Sequence, residues 1–339
     1  MLVKGRWSHL RSVVPPALVL LALCTTSASI GATKAVPGIV EIETSLHYQG
    51  AVVFGTGIVL TSTGEILTNN HVIRGATSIR VTDLDNGRTY SATVAGYDIS
   101  ADLALLELRD ASGLATIRLG HSTTMRIDDP VTAYGNPTGR LGTPISTADG
   151  RLVGIGKTIM VFGDDGGARS LTNVIETDAP ILPGYSGGPL VDTRGRTIGI
   201  DTAGSPIFLL QEAAGRAVAV PIDVARAVAA QIAAGRASAE VHVGPTAFLG
   251  VAIQSGRTRN GLTPGVTILK VVSGSPASRS RLRAGDVVTQ LNGITIRNAD
   301  DFESLMQTVK PGVAVTVGWT DSTGVSRSAS IATTSGPPQ

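Results

Sequence analysis

The stretch Pro183-Gly-Tyr-Ser-Gly-Gly-Pro-Leu190 places one serine between glycines, and the fold and chemistry of the chain are best worked out from it. Glycines on both sides let the backbone turn so that the amides of Gly184 and Ser186 can point into one cavity. Two converging amides are what a developing oxyanion requires, which makes Ser186 a candidate nucleophile. The alternative is a glycine-rich turn that holds a serine without chemical function.

A histidine and an acid precede this serine in an informative order. His71 directly follows a predicted strand, and Asp102 begins an apolar one, where its carboxylate can lie at a barrel rim near His71. The order histidine, aspartate, serine is that of chymotrypsin-type proteases. Other candidates for the acid are Asp98, which we expect to be solvated in a polar turn, Asp110 and Asp178.

The segment 184–188 also matches the G-x-S-x-G nucleophile elbow of α/β hydrolases. That interpretation requires an acid and then a histidine after Ser186. Only His242 is available, in a segment that we interpret as a linker (236–245), and strands do not alternate with helices around the serine. The sequence therefore disfavours the elbow.

Residues 37–220 consist of short β-branched and apolar runs that begin or end at glycine, without helix-length periodicity. With 41 glycines in 339 residues and 4% aromatic residues, the composition excludes a disordered chain and a helical bundle. Antiparallel barrels fit this pattern better than parallel βαβ units. One helix is predicted after them, from Pro221 to just before Gly235.

Residues 1–32 have the pattern of an export signal, with basic residues, an apolar stretch over 13–24 and small residues after it. They hold three of the 28 basic residues, none of the 26 acidic ones and the single cysteine, Cys24. The rest of the chain therefore lacks a basic surface for nucleic acid and any disulfide or thiolate metal site. We expect a secreted or cell-envelope protein without cofactor or metal. The alternative is a membrane anchor formed by an uncleaved leader.

Three blocks of the sequence resemble the catalytic blocks of the HtrA/Deg family of trypsin-fold serine proteases: Thr68–Ile73, Asp102–Leu105 and Gly184–Pro189. The resemblance covers roughly residues 37–335. The short leader and the entry to the second domain, residues 244–250, are most like the secreted mycobacterial PepA-type members. It implies a chymotrypsin-like double β-barrel and a triad of His71, Asp102 and Ser186. Tyr185 departs from the family, which usually has Asn or Asp at this position.

Specificity and assembly follow in part from the same resemblance. In trypsin-like enzymes an acid about six residues before the serine forms the floor of the S1 pocket and selects lysine or arginine. Pro180 stands there, with Ile181 beside it, and an apolar floor favours small or medium aliphatic P1 residues. We interpret Asp178 as structural. Members of the family are often trimers, which makes a homotrimer the expectation, although the short segment 33–50 offers little obvious oligomer interface.

Residues 246–335 resemble a PDZ domain, a small α+β unit, most clearly in the block 282–294. PDZ domains bind extended or C-terminal peptides by β-augmentation, and the matching loop and strand are Phe248, Leu249, Gly250 and Val251. The alternative is that these four residues pack the domain onto the protease. A helix is predicted after Asn298. Three arginines of this unit form a cluster that we interpret as a solvated loop, not a lipid or nucleic-acid site: Arg279, Arg281 and Arg283.

The sequence thus predicts a leader over 1–32, a trypsin-like domain over 33–240 and a PDZ domain over 241–339. The predicted function is that of an exported serine endopeptidase that cleaves unfolded or misfolded polypeptides. A non-catalytic peptide-binding or chaperone-like scaffold is the alternative.

Overall fold

The computed structural model describes residues 36–162, 168–202, 216–258, 261 and 263–339. The predicted leader lies outside these residues. Strands dominate the described chain, as the sequence predicts, and no helix within it has the length and apolar character needed to cross a membrane.

The first barrel consists of six antiparallel strands that close through the pairing of the fifth with the sixth. Its interior is filled by fully buried aliphatic side chains, among them Ile42, Ile66 and Leu106. A short helix, α1 (Asn70–Ile73), follows the third strand. The strands are β1 (Ile39–Leu46), β2 (Ala51–Val59), β3 (Glu65–Thr68), β4 (Ser78–Asp83), β5 (Thr89–Asp98) and β6 (Leu103–Leu108).

The second barrel is also closed and antiparallel, and Leu152, Ile175 and Leu190 are buried in its core. A short 3₁₀ helix, Ser122–Thr124, precedes it. Its strands are β7 (Pro130–Gly135), β8 (Ser146–Phe162), β9 (Ala168–Thr177), β10 (Pro189–Asp192), β11 (Thr197–Asp201) and β12 (Ala217–Pro221).

The predicted helix after Pro221 is confirmed as α2 (Ile222–Ala233). Its buried face packs into one apolar cluster with residues of both barrels, such as Leu105 and Ile200. The interpretation of residues 236–245 as a linker is wrong in part, because β13 (Val241–Val243) pairs with Gly96–Asp98, the end of β5 that β4 does not reach. His242 is consequently buried and stacks on Tyr97, with 4.8 Å between ring centroids.

The C-terminal strands form a five-strand path in the order β15-β16-β17-β19-β20, with β18 beside β17 and a separate pair β14-β21. Helix α3 (Ala299–Gln307) begins as predicted, with the Asn298 side chain accepting the Asp301 amide at 2.9 Å. The strands are β14 (Thr246–Phe248), β15 (Val251–Arg257), β16 (Pro264–Val271), β17 (Val287–Leu291), β18 (Ile294–Thr295), β19 (Ala314–Thr320), β20 (Ser326–Ala332) and β21 (Thr334–Gly336).

Side chains and backbone join this C-terminal part to the first barrel. Tyr48 stacks on Phe248 with 5.5 Å between centroids, and Arg74 pairs with the buried Glu303 at 3.0 Å. The amide of Gly75 donates to the Pro338 carbonyl at 2.9 Å. Both Arg74 and Gly75 directly follow α1, the helix that carries His71.

Candidate active site

His71 lies on α1, one residue after the turn that ends β3. Its ring Nδ1 lies 2.7 Å from Oδ2 of Asp102, and its backbone amide donates to Oδ1 of the same carboxylate at 3.0 Å. One carboxylate therefore fixes both the ring and the main chain of the histidine. The His71 side chain keeps 43% of its surface exposed, so a substrate can reach the ring.

Asp102 sits in a tight turn just before β6, with a left-handed backbone (φ 53°). Thr202 donates its hydroxyl to Oδ2 at 2.7 Å, and Asn69 donates its amide to the Asp102 carbonyl at 2.9 Å. Burial by itself raises the pKa of the Asp102 carboxyl, but the charge and hydrogen bonds of His71 outweigh burial and lower this pKa below its usual range. The site therefore keeps Asp102 ionised.

Ser186 is buried on the loop that precedes β10, and its carbonyl accepts the Thr56 amide at 2.8 Å. The next residue, Gly187, touches Thr68 so closely that an added Cβ would lie 2.2 Å from the Thr68 hydroxyl oxygen. Thr68 is the last residue of β3, which leads into the turn before His71. The structure thus brings the serine loop and the histidine helix to one place between the barrels.

Gly184 shapes the backbone in front of the serine. Its φ is +98°, and a Cβ built on it would lie 2.1 Å from the Asn136 carbonyl oxygen. Its carbonyl accepts the Asn136 amide at 3.3 Å and the Thr56 hydroxyl at 2.8 Å. Its own amide donates no hydrogen bond within the described part of the chain, and so this donor is available to a ligand.

Tyr185, the residue that departs from the family, is buried in the core of the second barrel and packs closely against Gly135. Burial raises the pKa of its phenol, and a hydrogen bond with Ser146 opposes the rise. The phenol therefore stays neutral, and its ring anchors the serine loop by packing.

Asp201, at the end of β11, is a residue that the sequence analysis missed. It is fully buried, and neither carboxylate oxygen has a hydrogen-bond partner among the described residues. Burial raises its pKa well above the usual value, so the carboxyl is neutral where an exposed one is ionised. Its carbonyl accepts the Gly187 amide and its amide donates to Gly188, both at 2.8 Å. A buried acid thus holds the serine loop through its backbone. The signal for it in the sequence is an acidic residue at the end of an apolar strand.

Replacing Asp201 with asparagine is expected to flatten the pH dependence of stability. The folded-state pKa is raised, so the folded chain holds a proton that the unfolded chain releases above about pH 3.9. Stability of the parent should be full below that value and fall by about 1.4 kcal/mol per pH unit until the folded pKa is reached. Urea unfolding between pH 4 and 8 measures the slope. The exposed control Asp110→Asn should keep the parental slope, and a parental slope in Asp201→Asn would contradict the assignment.

The other acids that the sequence singled out lie elsewhere. The expectation that Asp98 is solvated is wrong, because this residue is buried. Its carboxylate accepts hydrogen bonds from the Ser100 hydroxyl at 2.6 Å and from the Ala101 amide at 3.0 Å, within the turn that leads to Asp102. Asp178 accepts the Arg151 amide at 2.6 Å. Asp110 is exposed.

The two residues predicted for the S1 pocket differ in their surroundings. Pro180 is exposed, whereas Ile181 is partly buried against the second-barrel cluster that holds Tyr185. Within the described residues no group of three metal-ligating side chains comes together.

The predicted peptide-binding residues follow β14 and open β15. Phe248 packs on Tyr48, and Leu249 is buried in the C-terminal core. The amides of Leu249 and Gly250 donate no hydrogen bond within the described chain. β15, which Val251 begins, is the edge strand of its sheet, and its Ser255 accepts the first amide of α3 at 3.0 Å. The loop therefore offers unpaired donors beside an open strand edge.

Comparison with known proteins identifies both parts of the chain. A model of the trypsin-like peptidase domain matches residues 55–200, and one of the PDZ domain matches residues 247–320. Serine protease PepD of Mycobacterium tuberculosis is 33% identical over 88% of this chain and 64% of its own length. Periplasmic pH-dependent serine endoprotease DegQ of Escherichia coli is 31% identical over 78% of this chain and 56% of its own length.

Among solved structures, the HtrA-type protease AlgW with a tripeptide is 27% identical, with a TM-score of 0.50. The alignment covers 91% of this chain and 97% of that one. Against the curated relatives the chain spans less, between 51% and 64% of their lengths.

Proposed function

Because the chain belongs to the HtrA/Deg family of trypsin-like serine proteases with a PDZ domain, we propose that it is a serine endopeptidase that cleaves unfolded or misfolded polypeptides. The observation that carries the proposal is the Asp102 carboxylate, which holds the ring and the amide of His71 beside the serine loop. The names of periplasmic relatives such as DegQ support a place in the cell envelope or outside the cell. The leader and the homotrimer stay predictions.

In the proposed mechanism, Ser186 Oγ attacks the peptide carbonyl while His71 Nε2 accepts its proton. Asp102 accepts the Nδ1–H of His71, which selects the tautomer with an unprotonated Nε2, the base, and then stabilises the imidazolium. Thr202 holds the carboxylate in that orientation through its hydrogen bond. The amides of Gly184 and Ser186 stabilise the oxyanion, and His71 then returns the proton to the leaving amine.

A fluorophosphonate probe tests this proposal on the full chain. We expect one probe per chain, mapped to Ser186 by peptide mass spectrometry, and internal cleavage of unfolded casein. If the fraction of chains labelled at Ser186 equals the fraction of casein cleavage that is lost, the labelled serine is responsible for the cleavage. Absence of labelling, or labelling at another serine, would contradict the proposal. Suppressed aggregation of casein without cleavage would instead favour the chaperone-like scaffold.

We further propose that the C-terminal part binds the carboxyl end of an extended peptide, through the loop Phe248–Val251. The amides of Leu249 and Gly250 would receive the carboxylate, and the peptide would extend along the free edge of β15 next to α3. The tripeptide in the related AlgW structure supports a peptide ligand. The packing of Phe248 on Tyr48 supports the alternative, in which this side chain packs the domain onto the protease. Such packing leaves the backbone amides of the loop able to bind a carboxylate.

Gly250→Ala is expected to weaken binding of a peptide with a free C-terminus by about tenfold or more. Gly250 has φ +83°, and a Cβ on it would lie 2.1 Å from the Ser275 Cβ, so alanine must displace the loop amides. Gly244→Ala is the matched control, because Gly244 also has φ +83° but nothing within 4 Å of an added Cβ. Isothermal titration with free and amidated peptides measures the effect. Equal affinity for both peptides would contradict carboxylate capture.

A further inference from the structure

The last strand of the C-terminal sheet, β20, has one unpaired edge. It pairs with β19 only, in a register that runs from Ala314↔Ala332 to Thr320↔Ser326 without a bulge. Soluble proteins ordinarily protect such edges with short strands, bulges, lysine or proline. β20 has seven residues, no proline and one charged residue, Arg327. The strand is therefore an open template for another strand.

Two hydrogen bonds that flank the β19–β20 ladder identify the amides at this edge. Asp321 donates its amide to the Val325 carbonyl, and Thr333 donates to Val313, both in continuation of the ladder register. Bonded and non-bonded pairs alternate in an antiparallel ladder. The odd-numbered residues of β20 therefore bond to β19, and the amides and carbonyls of its even-numbered residues face outward.

A groove of about 680 Å³ runs beside this edge, between β20 and the 3₁₀ helix Ala277–Arg279. None of the described residues that line it is acidic. Of its arginines, Arg327 pairs with Asp321 at 2.6 Å, whereas Arg279 and Arg281 are exposed and form no ion pair within the described chain. The groove therefore has positive charge without a counter-charge.

A buried donor also lies at this groove. Trp319 lines it, and its indole N–H is buried without an acceptor among the described residues. Indole N–H groups usually find a partner when they are buried. The Trp319 ring therefore serves here as a spectroscopic reporter for the groove that it lines.

We propose that this groove is a second peptide-binding site, which takes an extended acidic polypeptide segment as an added strand along β20. The outward amides and carbonyls of β20 hold its backbone, and carboxylates at alternate positions meet Arg279 and Arg281. Side chains of a strand point to one face at every second position, so the site favours an acidic residue at every second position. It differs from the loop Phe248–Val251, because β15 and β20 are opposite edges of one sheet.

A capped peptide of alternating glutamate and valine tests the proposal. Acetyl and amide caps remove the terminal carboxylate, so the loop Phe248–Val251 has no carboxylate to receive. The protein is the full chain with Ser186→Ala, to prevent cleavage, and Trp7→Phe, which leaves Trp319 as the only one of the two tryptophans. We expect saturable binding that shifts the Trp319 emission, weakens with salt and is absent for a lysine–valine peptide.

Ser328→Pro removes one outward amide without removing a bond of the ladder, and it is expected to weaken this binding by about tenfold or more. Arg279→Glu with Arg281→Glu should do the same, whereas Arg236→Glu, an exposed charge reversal outside the groove, should have no effect. An unchanged melting temperature shows that Ser328→Pro folds. Unchanged peptide affinity in Ser328→Pro, or competition by a peptide bound at Phe248–Val251, would overturn the proposal. So would a dimer that Ser328→Pro converts to monomer, because a second copy would then occupy β20.

Discussion

Replacing Ser186 with alanine is expected to lower kcat/KM for an unfolded protein by about 10⁶-fold, to the activity that the remaining amides and binding groups support. Asp102→Asn alone should lower it by about 10⁴-fold, because asparagine favours the wrong tautomer of His71. Adding Asp102→Asn to Ser186→Ala should cost little more. The residues of a triad act as one unit, and without the nucleophile an oriented base has no proton to accept.

Initial rates of fluorescent casein cleavage at substrate concentrations well below KM measure these ratios directly. The exposed strand serine Ser91, changed to alanine, is the matched control and should retain the parental rate. Losses that multiply in the double variant would contradict a concerted triad. A Ser186→Ala variant with more than about one hundredth of the parental rate would show that another group is the nucleophile.

Local patterns in the sequence were sufficient for the fold class. The glycine frame of Ser186 and the strand that opens at Asp102 are short-range features, which a reading of the sequence can find, whereas their meeting depends on how the two barrels fold. The helices after Pro221 and Asn298 followed from apolar spacing and a cap in the same way.

The environment of the serine loop depends on which side chains the second barrel encloses, and alternation alone does not reveal this. Tyr185 became core and Asp201 became a buried neutral acid because both face one interior, where the acid gains no partner among the described residues. Similarly, Asp98 was expected in solvent because its partners, Ser100 and the Ala101 amide, bind it only once the turn has formed. The strand Val241–Val243 was missed because its stability comes from β5, far away in the chain.

Contacts between the two parts of the chain were the least predictable feature. Tyr48 meets Phe248, and Arg74 meets Glu303, across about two hundred residues that no periodic pattern connects. Arg74 directly follows α1, the helix that carries His71. The place where the loop Phe248–Val251 meets the first barrel thus depends on tertiary packing alone.

Gly184→Ala is expected to lower kcat/KM by about 10²- to 10³-fold, the usual cost of one oxyanion donor. Gly184 has φ +98°, and a Cβ there would lie 2.1 Å from the Asn136 carbonyl oxygen. That oxygen belongs to the backbone of a buried residue whose side chain is held by Glu41 and by the Arg140 carbonyl, so it cannot yield easily. The loop at residue 184 must therefore move, and its amide turns away from the oxyanion.

The matched control separates this displacement from the ordinary strain of a left-handed alanine. Gly113 has φ +68° and nothing within 4 Å of an added Cβ, so Gly113→Ala carries the backbone strain, about 1 kcal/mol, without a collision. It should lower the melting temperature slightly and leave kcat/KM unchanged. If Gly184→Ala acts through the oxyanion hole, kcat falls while fluorophosphonate still reaches Ser186, only more slowly, and KM changes little. A variant with parental kcat would mean that the Gly184 amide does not stabilise the oxyanion, and the stabilising donor would then have to be sought elsewhere in the serine loop.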